Sequence, residues 1–187
     1  IVEPVAILAA QLTNRPVKYD YTREEEMQVS STRAAERIYI KDGITNDGRI
    51  VARQIRLYVD SGAYSRHSPY GTTKAAAHMP GPYTIPNVHV DCHCVYTNRT
   101  PSSAMRGGGG TIAAFALEVQ MDKLARLIGM DPMEFRILNA YRDGEMKAHG
   151  KPTAGAALVE TGQAASKLAN WPIGAAAMRA TSMKREA

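Results

Sequence analysis

The sequence predicts an α+β fold, in which a mixed or antiparallel sheet has helices packed on it. Two β-rich segments, residues 37–41 and 50–61, flank a turn-rich stretch, and a strand of alternating polarity follows at residues 88–96. A helical apolar period runs through residues 111–128. Because these strands and helices do not alternate strictly along the chain, the pattern favours α+β over a doubly wound parallel sheet.

The N-terminal residues predict a helix. Apolar residues recur at helical spacing from Val2 to Leu12, and two further apolar residues widen that face, so we expect a well-buried helix. Asn14 and the Arg15-Pro16 pair end it, because a residue before proline is driven out of the α region.

Short elements are predicted up to residue 61. Apolar and polar side chains alternate over residues 17–21, which predicts a strand. Thr22 and the glutamate three residues later are typical of a capping box, so a short helix is expected at residues 23–29. The connection between the two β-rich segments contains Asp-Gly at residues 42–43 and Asn-Asp-Gly at residues 46–48. It predicts a β-hairpin.

Residues 62–86 contain several glycines and prolines and no long period. We predict an irregular excursion there, with at most one helical turn near residues 73–78, and long loops of this kind are usually functional or mobile. In the strand that follows, Cys92 and Cys94 share the apolar side, where cysteine behaves as a small hydrophobic residue. They lack the spacing of a redox Cys-x-x-Cys pair.

The other side of that strand carries His89, Asp91 and His93. These are metal-ligand residue types, but ligands two apart on a strand lie roughly 6.5–7 Å apart at the Cα, so convergence on one ion needs help from elsewhere. The polar outer face of a strand explains the pattern more simply. Both interpretations stay open.

Three helices are expected after the loop. Within residues 111–128 the apolar side chains are spaced four and three apart, and Gly129 is a suitable terminator. Asp131 then caps a helix, with proline at its first position, that runs to about Ala140. A last helix is predicted at residues 158–169.

Length and composition limit the classes of protein. The 187 residues are 44% hydrophobic and 22% charged, typical of about one globular domain. The net charge of +5 is spread without a run of five like charges, and aromatics are only 6%, so we expect no nucleic-acid partner. Neither a signal sequence nor a membrane-length apolar run is visible, so we expect a cytoplasmic protein without membrane contact. Because the chain begins without Met inside a helix, we expect a piece of something longer.

The most unusual segment is Met105-Arg106 followed by four consecutive glycines and a helix. Glycine runs occur where the backbone bends sharply or approaches another group closely. Exposed N–H groups before a helix N-terminus form a positive concavity that suits an anion, and Arg106 would add a charge-assisted donor. The alternative is a flexible loop before a helix. The segment is neither a Walker A motif nor a spaced Gly-x-Gly-x-x-Gly.

Several segments, taken in order, resemble one known family. They are residues 14–18, residues 22–27, His78-Met79 with residues 83–87, Thr97-Asn98, residues 101–107, and residues 124–139 with Gly129-Met130-Asp131-Pro132 at their centre. In this order they resemble the molybdenum-binding subunit of the xanthine dehydrogenase and aldehyde oxidase family. The resemblance runs from about residue 1 to Trp171, so it implies that residues 1–172 are part of a molybdenum cofactor-binding domain. Residues 173–187 would be a basic, alanine-rich tail that frays or is disordered.

The resemblance implies an oxidoreductase that hydroxylates a heterocycle or an aldehyde with water as the oxygen source. Its cofactor would be molybdopterin, which itself holds the molybdenum, so no metal ligand is expected from this chain. Arg106, with the backbone of Met105 and Gly107, would contact the cofactor. Two substrate-binding positions depart from the family: Gly108 stands where the family commonly has phenylalanine, and Lys74 stands where purine-oxidising members have arginine.

The resemblance also implies what lies outside this chain. The family's catalytic glutamate and a second glycine-rich loop are not in the sequence, so we expect one wall of the cofactor and substrate cleft, inactive alone. The expected partners are the rest of the molybdenum subunit, iron–sulfur and flavin (FAD) modules, and a small-molecule substrate. The alternative is a non-catalytic module that binds an anion or nucleotide, or serves assembly, through residues 107–110.

Overall fold

The computed structural model describes residues 2–174. Within this range the helices are α1 (Glu3–Thr13), α2 (Arg23–Val29), α3 (Ser68–His78), α4 (Gly110–Leu127), α5 (Pro132–Asn139) and α6 (Leu158–Leu168). The strands are β1 (Glu36–Ile44), β2 (Ile50–Gly62) and β3 (Asn87–Tyr96). None of the helices in this range is long and apolar enough to cross a membrane.

The three strands form one sheet in the order β1-β2-β3. β1 pairs with β2 antiparallel, with Ile40 opposite Ile55, and β2 pairs with β3 parallel, with Ile55 opposite Val90. A parallel pair needs a crossover connection, and the segment that contains α3 provides it between β2 and β3. The sheet is mixed and carries helices, so the predicted α+β class is confirmed.

Helices α3 and α4 pack on one face of the sheet. Ile55, Leu57 and Val59 of β2 are buried against Ala75 of α3 and Ala113 of α4. A second cluster joins the rest of α4 to α5 and to the segment before β3, and its members include Tyr83, Ile85, Leu117, Met121, Leu124 and Phe135. Because Ala113 lies in the first turn of α4, the glycine-rich residues before this helix are anchored beside the core.

The predicted helix ends are confirmed. At α2, the N–H of Glu25 donates to Thr22 Oγ1 at 3.2 Å and the N–H of Thr22 donates to the Glu25 carboxylate at 2.8 Å, which completes the capping box. Gly129 follows α4 with φ of +68°, and its N–H donates to the Arg126 carbonyl. The Asp131 carboxylate accepts from two N–H groups of the first turn of α5.

Two predictions for the N-terminal part are wrong. α1 forms as expected but has no buried residue, and Leu12 is 78% exposed. Apolar periodicity indicates that one helix face packs against another part of the protein, but it does not identify that part. Residues 17–21 join no strand, although the Tyr19 and Tyr21 rings meet edge to face at 5.2 Å. Their alternation lacks the neighbouring backbone that a strand requires.

The β1–β2 hairpin is confirmed, but its turn is shorter than predicted. Asp42 and Gly43 belong to β1, and the reversal occurs between Thr45 and Arg49. Asp42 stays in the strand because it lies opposite Arg53, whose Nε donates to Asp42 Oδ1 at 2.6 Å. Both side chains are fully buried.

The segment between β2 and β3 is more regular than predicted. It contains the 11-residue α3, where the sequence indicated at most one helical turn. Glycine and threonine have low helix propensity, so the local sequence of α3 does not predict a helix of this length. Thr72 and Ala75 are buried in the structure, so tertiary packing stabilises a helix that local propensity does not predict.

The C-terminal part of the described range follows the prediction. α6 covers residues 158–168, and Ile173 packs beside Ile137 and Val159. Residues 175–187, which make up most of the predicted basic tail, lie outside the described residues.

Candidate functional site

Residues 105–110, here called the glycine loop, connect the segment after β3 to α4. Gly107, Gly108 and Gly109 have φ values of +107°, +43° and +85°. A residue with a side chain rarely adopts such values, so the run of glycines follows from the shape of the backbone. Arg106 itself lies at +20°.

The glycine loop approaches α3 closely. A Cβ on Gly109 would overlap the carbonyl oxygen of Gly71 in α3, and a Cβ on Gly107 would overlap Thr111 Oγ1. A Cβ on Gly108, in contrast, would meet only Ala104 Cβ, at 3.6 Å. The loop is therefore fixed on one side by backbone packing and has room for a group at Gly108.

The backbone amides of residues 105–109 in the glycine loop are free to donate. Within the described part of the chain, no N–H group of residues 105–109 donates to a protein acceptor. Met105, Arg106 and Gly107 are also exposed to solvent. Successive free amides before a helix N-terminus, with a guanidinium beside them, are a donor arrangement that suits an anion.

Arg33 supports the glycine loop from the segment before β1. Its Nη2 donates to the carbonyl oxygen of Arg106 at 2.8 Å and lies 3.8 Å from Met105 Sδ. This charge-assisted bond keeps the Arg106 carbonyl pointing toward Arg33 and so stabilises the orientation of the peptide group at Arg106. Sequence reasoning did not single out Arg33, since nothing local to residue 33 shows that a loop 73 residues later lies beside it.

Lys74 lies on the face of α3 that meets the glycine loop. A Cβ on Gly71 would lie 4.0 Å from the Gly108 backbone, and a Cβ on Gly110 would lie 4.0 Å from the His78 ring. Lys74 is three residues after Gly71 and four before His78, so the three share one helix face. The structure thus brings the two predicted substrate-binding positions, Lys74 and Gly108, to the same region.

His78 Nδ1 lies 2.7 Å from the carbonyl oxygen of Lys74. A carbonyl can only accept, so this nitrogen carries the proton and Nε2 remains an acceptor in the neutral ring. The contact adds a side-chain bond to the last turn of α3.

A small cavity of about 20 Å³ lies beneath the glycine loop. Its lining includes Met105, Gly108 and Gly109 of the glycine loop, together with Arg33 before β1 and Glu36 in β1. Burial raises the pKa of Glu36 to about 7, although nearby Arg33 acts in the opposite direction. The sequence analysis did not identify Glu36 either. An acidic residue on the same strand face as the inward-facing Ile38 and Ile40 could have indicated it.

The polar side chains of β3 contact one another and a neighbouring ring. Within the described residues no three His, Cys, Asp or Glu side chains are placed to hold an ion. Asp91 Oδ1 lies 3.2 Å from His93 Nε2, and the His93 ring stacks on Tyr58. The polar outer face is therefore the better interpretation. Cys92 and Cys94 are free thiols, and Cys92 packs against the core as predicted.

Comparisons with known proteins agree on one family. A family model described as molybdopterin cofactor-binding domain matches residues 1–140. The large molybdopterin subunit of nicotinate dehydrogenase from Eubacterium barkeri is 45% identical over 139 residues, which are 74% of this chain and 33% of that protein. The aldehyde oxidoreductase of Megalodesulfovibrio gigas is 35% identical over 149 residues, 80% of this chain and 16% of that protein.

The fold comparison gives the same result. The aldehyde oxidoreductase structure from Desulfovibrio gigas superposes with a TM-score of 0.79 at 32% identity, over 93% of this chain and 20% of that chain. The chain spans a third or less of the length of these relatives.

Proposed function

Because the chain belongs to the molybdopterin cofactor-binding domain family, we propose that it forms one wall of the cofactor and substrate cleft of a molybdenum hydroxylase. The reaction would be the oxidation of a heterocycle or aldehyde with water as the oxygen source. The observation that carries the proposal is the row of free amides in the glycine loop. An anionic, heteroatom-rich group such as molybdopterin satisfies such donors.

Arg106, with the backbone of Met105 and Gly107, is the proposed cofactor contact. The exposed guanidinium and the adjacent amides provide charge-assisted and neutral donors from one short segment. When bound, molybdopterin supplies the redox-active molybdenum centre. The residues of this chain bind and orient the cofactor, and the packing of Gly109 on α3 keeps their geometry fixed.

Lys74 and Gly108 are the proposed substrate-facing positions. The lysine ammonium is a point charge and lacks the planar fork with which arginine makes two parallel hydrogen bonds. It therefore suits a substrate with a single anionic or carbonyl oxygen more than one that needs a bidentate contact. The open space at Gly108 leaves room for a larger ring than a phenylalanine at this position would allow. Both features favour a substrate pocket that differs from that of purine-oxidising relatives.

The remaining catalytic parts are proposed to lie outside this chain. They comprise the rest of the molybdenum subunit with the catalytic glutamate, and iron–sulfur and FAD modules for electron transfer. We expect this chain to be inactive alone. A cytoplasmic location is supported by its two unpaired cysteines, which are typical of a reducing compartment.

An Arg106→Ala substitution tests the proposed contact. We expect the molybdopterin content of the assembled protein to fall about tenfold or more, because a charged donor is worth about 1.5–3 kcal/mol. The measurement is the pterin and molybdenum released per mole of purified protein.

Arg23→Ala is the matched control, since Arg23 is an exposed arginine on α2 that does not line the cavity beside the loop. It should leave the cofactor content unchanged. Equal cofactor content in the Arg106→Ala variant and the control would contradict the assignment of Arg106.

A further inference from the structure

Glu36 is an acidic residue at a position that the fold reserves for apolar side chains. In β1 it lies on the same face as Ile38 and Ile40, which pack against the core, and it is paired in register with the buried Val59. Its Oε2 atom is buried and has no hydrogen-bond partner among the described protein atoms. An unsatisfied buried oxygen destabilises the fold, so it needs an explanation.

The cavity beside Glu36 supplies a partner of the right size. Its volume of about 20 Å³ exceeds the roughly 10–15 Å³ that one water molecule needs. Glu36, Gly108 and Gly109 are among its lining residues, so the unpartnered Glu36 carboxyl oxygen and the glycine backbone are the polar groups available to a water there. It is too small for a cofactor or a substrate.

The charged and titratable side chains that line this cavity are Arg33, Glu36 and His67. Arg33 connects them to the glycine loop through its 2.8 Å bond to the Arg106 carbonyl. His67 Nδ1 lies 3.4 Å from Ser103 Oγ, on the segment that leads into the loop. The acid and the guanidinium therefore face the same short stretch of backbone from below.

We propose that Glu36 is a positioning residue for the glycine loop: its carboxyl binds one water molecule in the cavity, and that water holds the backbone of Gly108 and Gly109 while Arg33 holds the Arg106 carbonyl. The importance of this pair for cofactor binding rests on the proposed function. The positioning of the loop does not.

Glu36 lowers the stability of the fold above neutral pH. Burial raises its pKa from 4.5 to about 7, so the folded chain retains a proton that the unfolded chain has released. The contribution of Glu36 to folding stability therefore falls as the pH rises from about 4.5 to about 7. An apolar side chain would pack here without this loss of folding stability. A residue that positions a functional loop can be retained in spite of the loss.

Glu36→Leu and Glu36→Gln separate positioning from packing. Leucine removes the acid and the water contact, while glutamine removes the acid but still bonds a water. We expect both variants to melt at a higher temperature than the parent at pH 8, with a smaller difference at pH 5. We expect hydrogen exchange of the Gly110 amide, which donates to the Gly107 carbonyl at 3.0 Å, to become about fivefold faster in Glu36→Leu only, the effect of one weakened hydrogen bond.

Glu24→Gln on α2 is the control for a change of charge alone, because Glu24 is exposed and does not line the cavity. It should alter neither the exchange of the loop nor the pH dependence of melting. Unchanged loop exchange in Glu36→Leu, or equally fast exchange in Glu36→Gln, would overturn the proposal.

The two proposals fail separately. Loop exchange is a property of the chain whether or not a cofactor is bound, so it tests Glu36 even if Arg106→Ala keeps full molybdopterin content. Conversely, loss of molybdopterin in Arg106→Ala, together with unchanged exchange in Glu36→Leu, would support the cofactor site and reject Glu36 as its positioning residue.

Discussion

At the residue scale, Gly108 and Gly109 are neighbours with different requirements. Both have positive φ, but only Gly109 is pressed against another backbone, that of Gly71. A side chain at Gly108 would be strained yet would have space. The two positions therefore separate the effect of backbone conformation from the effect of close packing.

Gly108→Ala and Gly109→Ala are a matched pair for this distinction. We expect Gly108→Ala to lower the free energy of unfolding by about 1 kcal/mol, from the left-handed conformation alone. Gly109→Ala should lower it by about 1–3 kcal/mol more, because the new methyl group overlaps the Gly71 carbonyl. Urea unfolding of the assembled protein measures both. Equal losses would mean that the loop can move away from α3.

At the element scale, a buried ion pair joins β1 and β2 to the helices. The Arg53 guanidinium bonds Asp42 at 2.6 Å, the Pro80 carbonyl at 3.1 Å and, more weakly, Met121 Sδ. Gln120 of α4 donates to the other Asp42 oxygen at 3.0 Å. A fully buried pair with these extra bonds fixes the hairpin register and docks α4 on it.

Asp42→Ala tests this role. It leaves the Arg53 charge buried without its partner, so we expect the free energy of unfolding to fall by about 3–5 kcal/mol. Asp91→Ala is the control, because Asp91 and Arg56 form an exposed pair at 3.8 Å that is worth about 0–1 kcal/mol. Chemical denaturation at pH 7 compares the two. Similar small losses would show that α4 and the hairpin dock without the pair.

At the scale of the whole molecule, α1 presents an apolar face that the described residues leave open. Val5, Ile7 and Leu8 are each more than half exposed, and Leu12 is 78% exposed. The relatives are at least three times longer than the matched segment. On the proposed function, we expect another part of the molybdenum subunit to cover α1.

Leu12→Ser tests that cover, with Gln11→Ser on the same helix as the control. Leucine and glutamine have similar helix propensities, so the two variants differ mainly in apolar burial. In the assembled protein we expect Leu12→Ser to lower the free energy of unfolding by about 2 kcal/mol more than Gln11→Ser, the value of one buried leucine. If the two variants unfold alike, the face stays exposed in the assembly.

The sequence by itself determined the features that local chemistry controls. The capping box at Thr22, the glycine end of α4 and the Asp131 cap depend on residues within one helical turn, so their patterns were sufficient. The α+β class and the family resemblance followed from the order of such local signals. The run of four glycines predicted a sharp bend of the backbone or a close approach, and three of the four glycines have positive φ.

Only the tertiary structure decided what depends on distant partners. α3 forms because Thr72 and Ala75 find a core, and residues 17–21 form no strand because no neighbour pairs with them. Arg33 and Glu36 meet the glycine loop across about 70 residues of sequence. Local patterns record backbone preference and side-chain polarity, whereas packing depends on which surfaces the fold brings together.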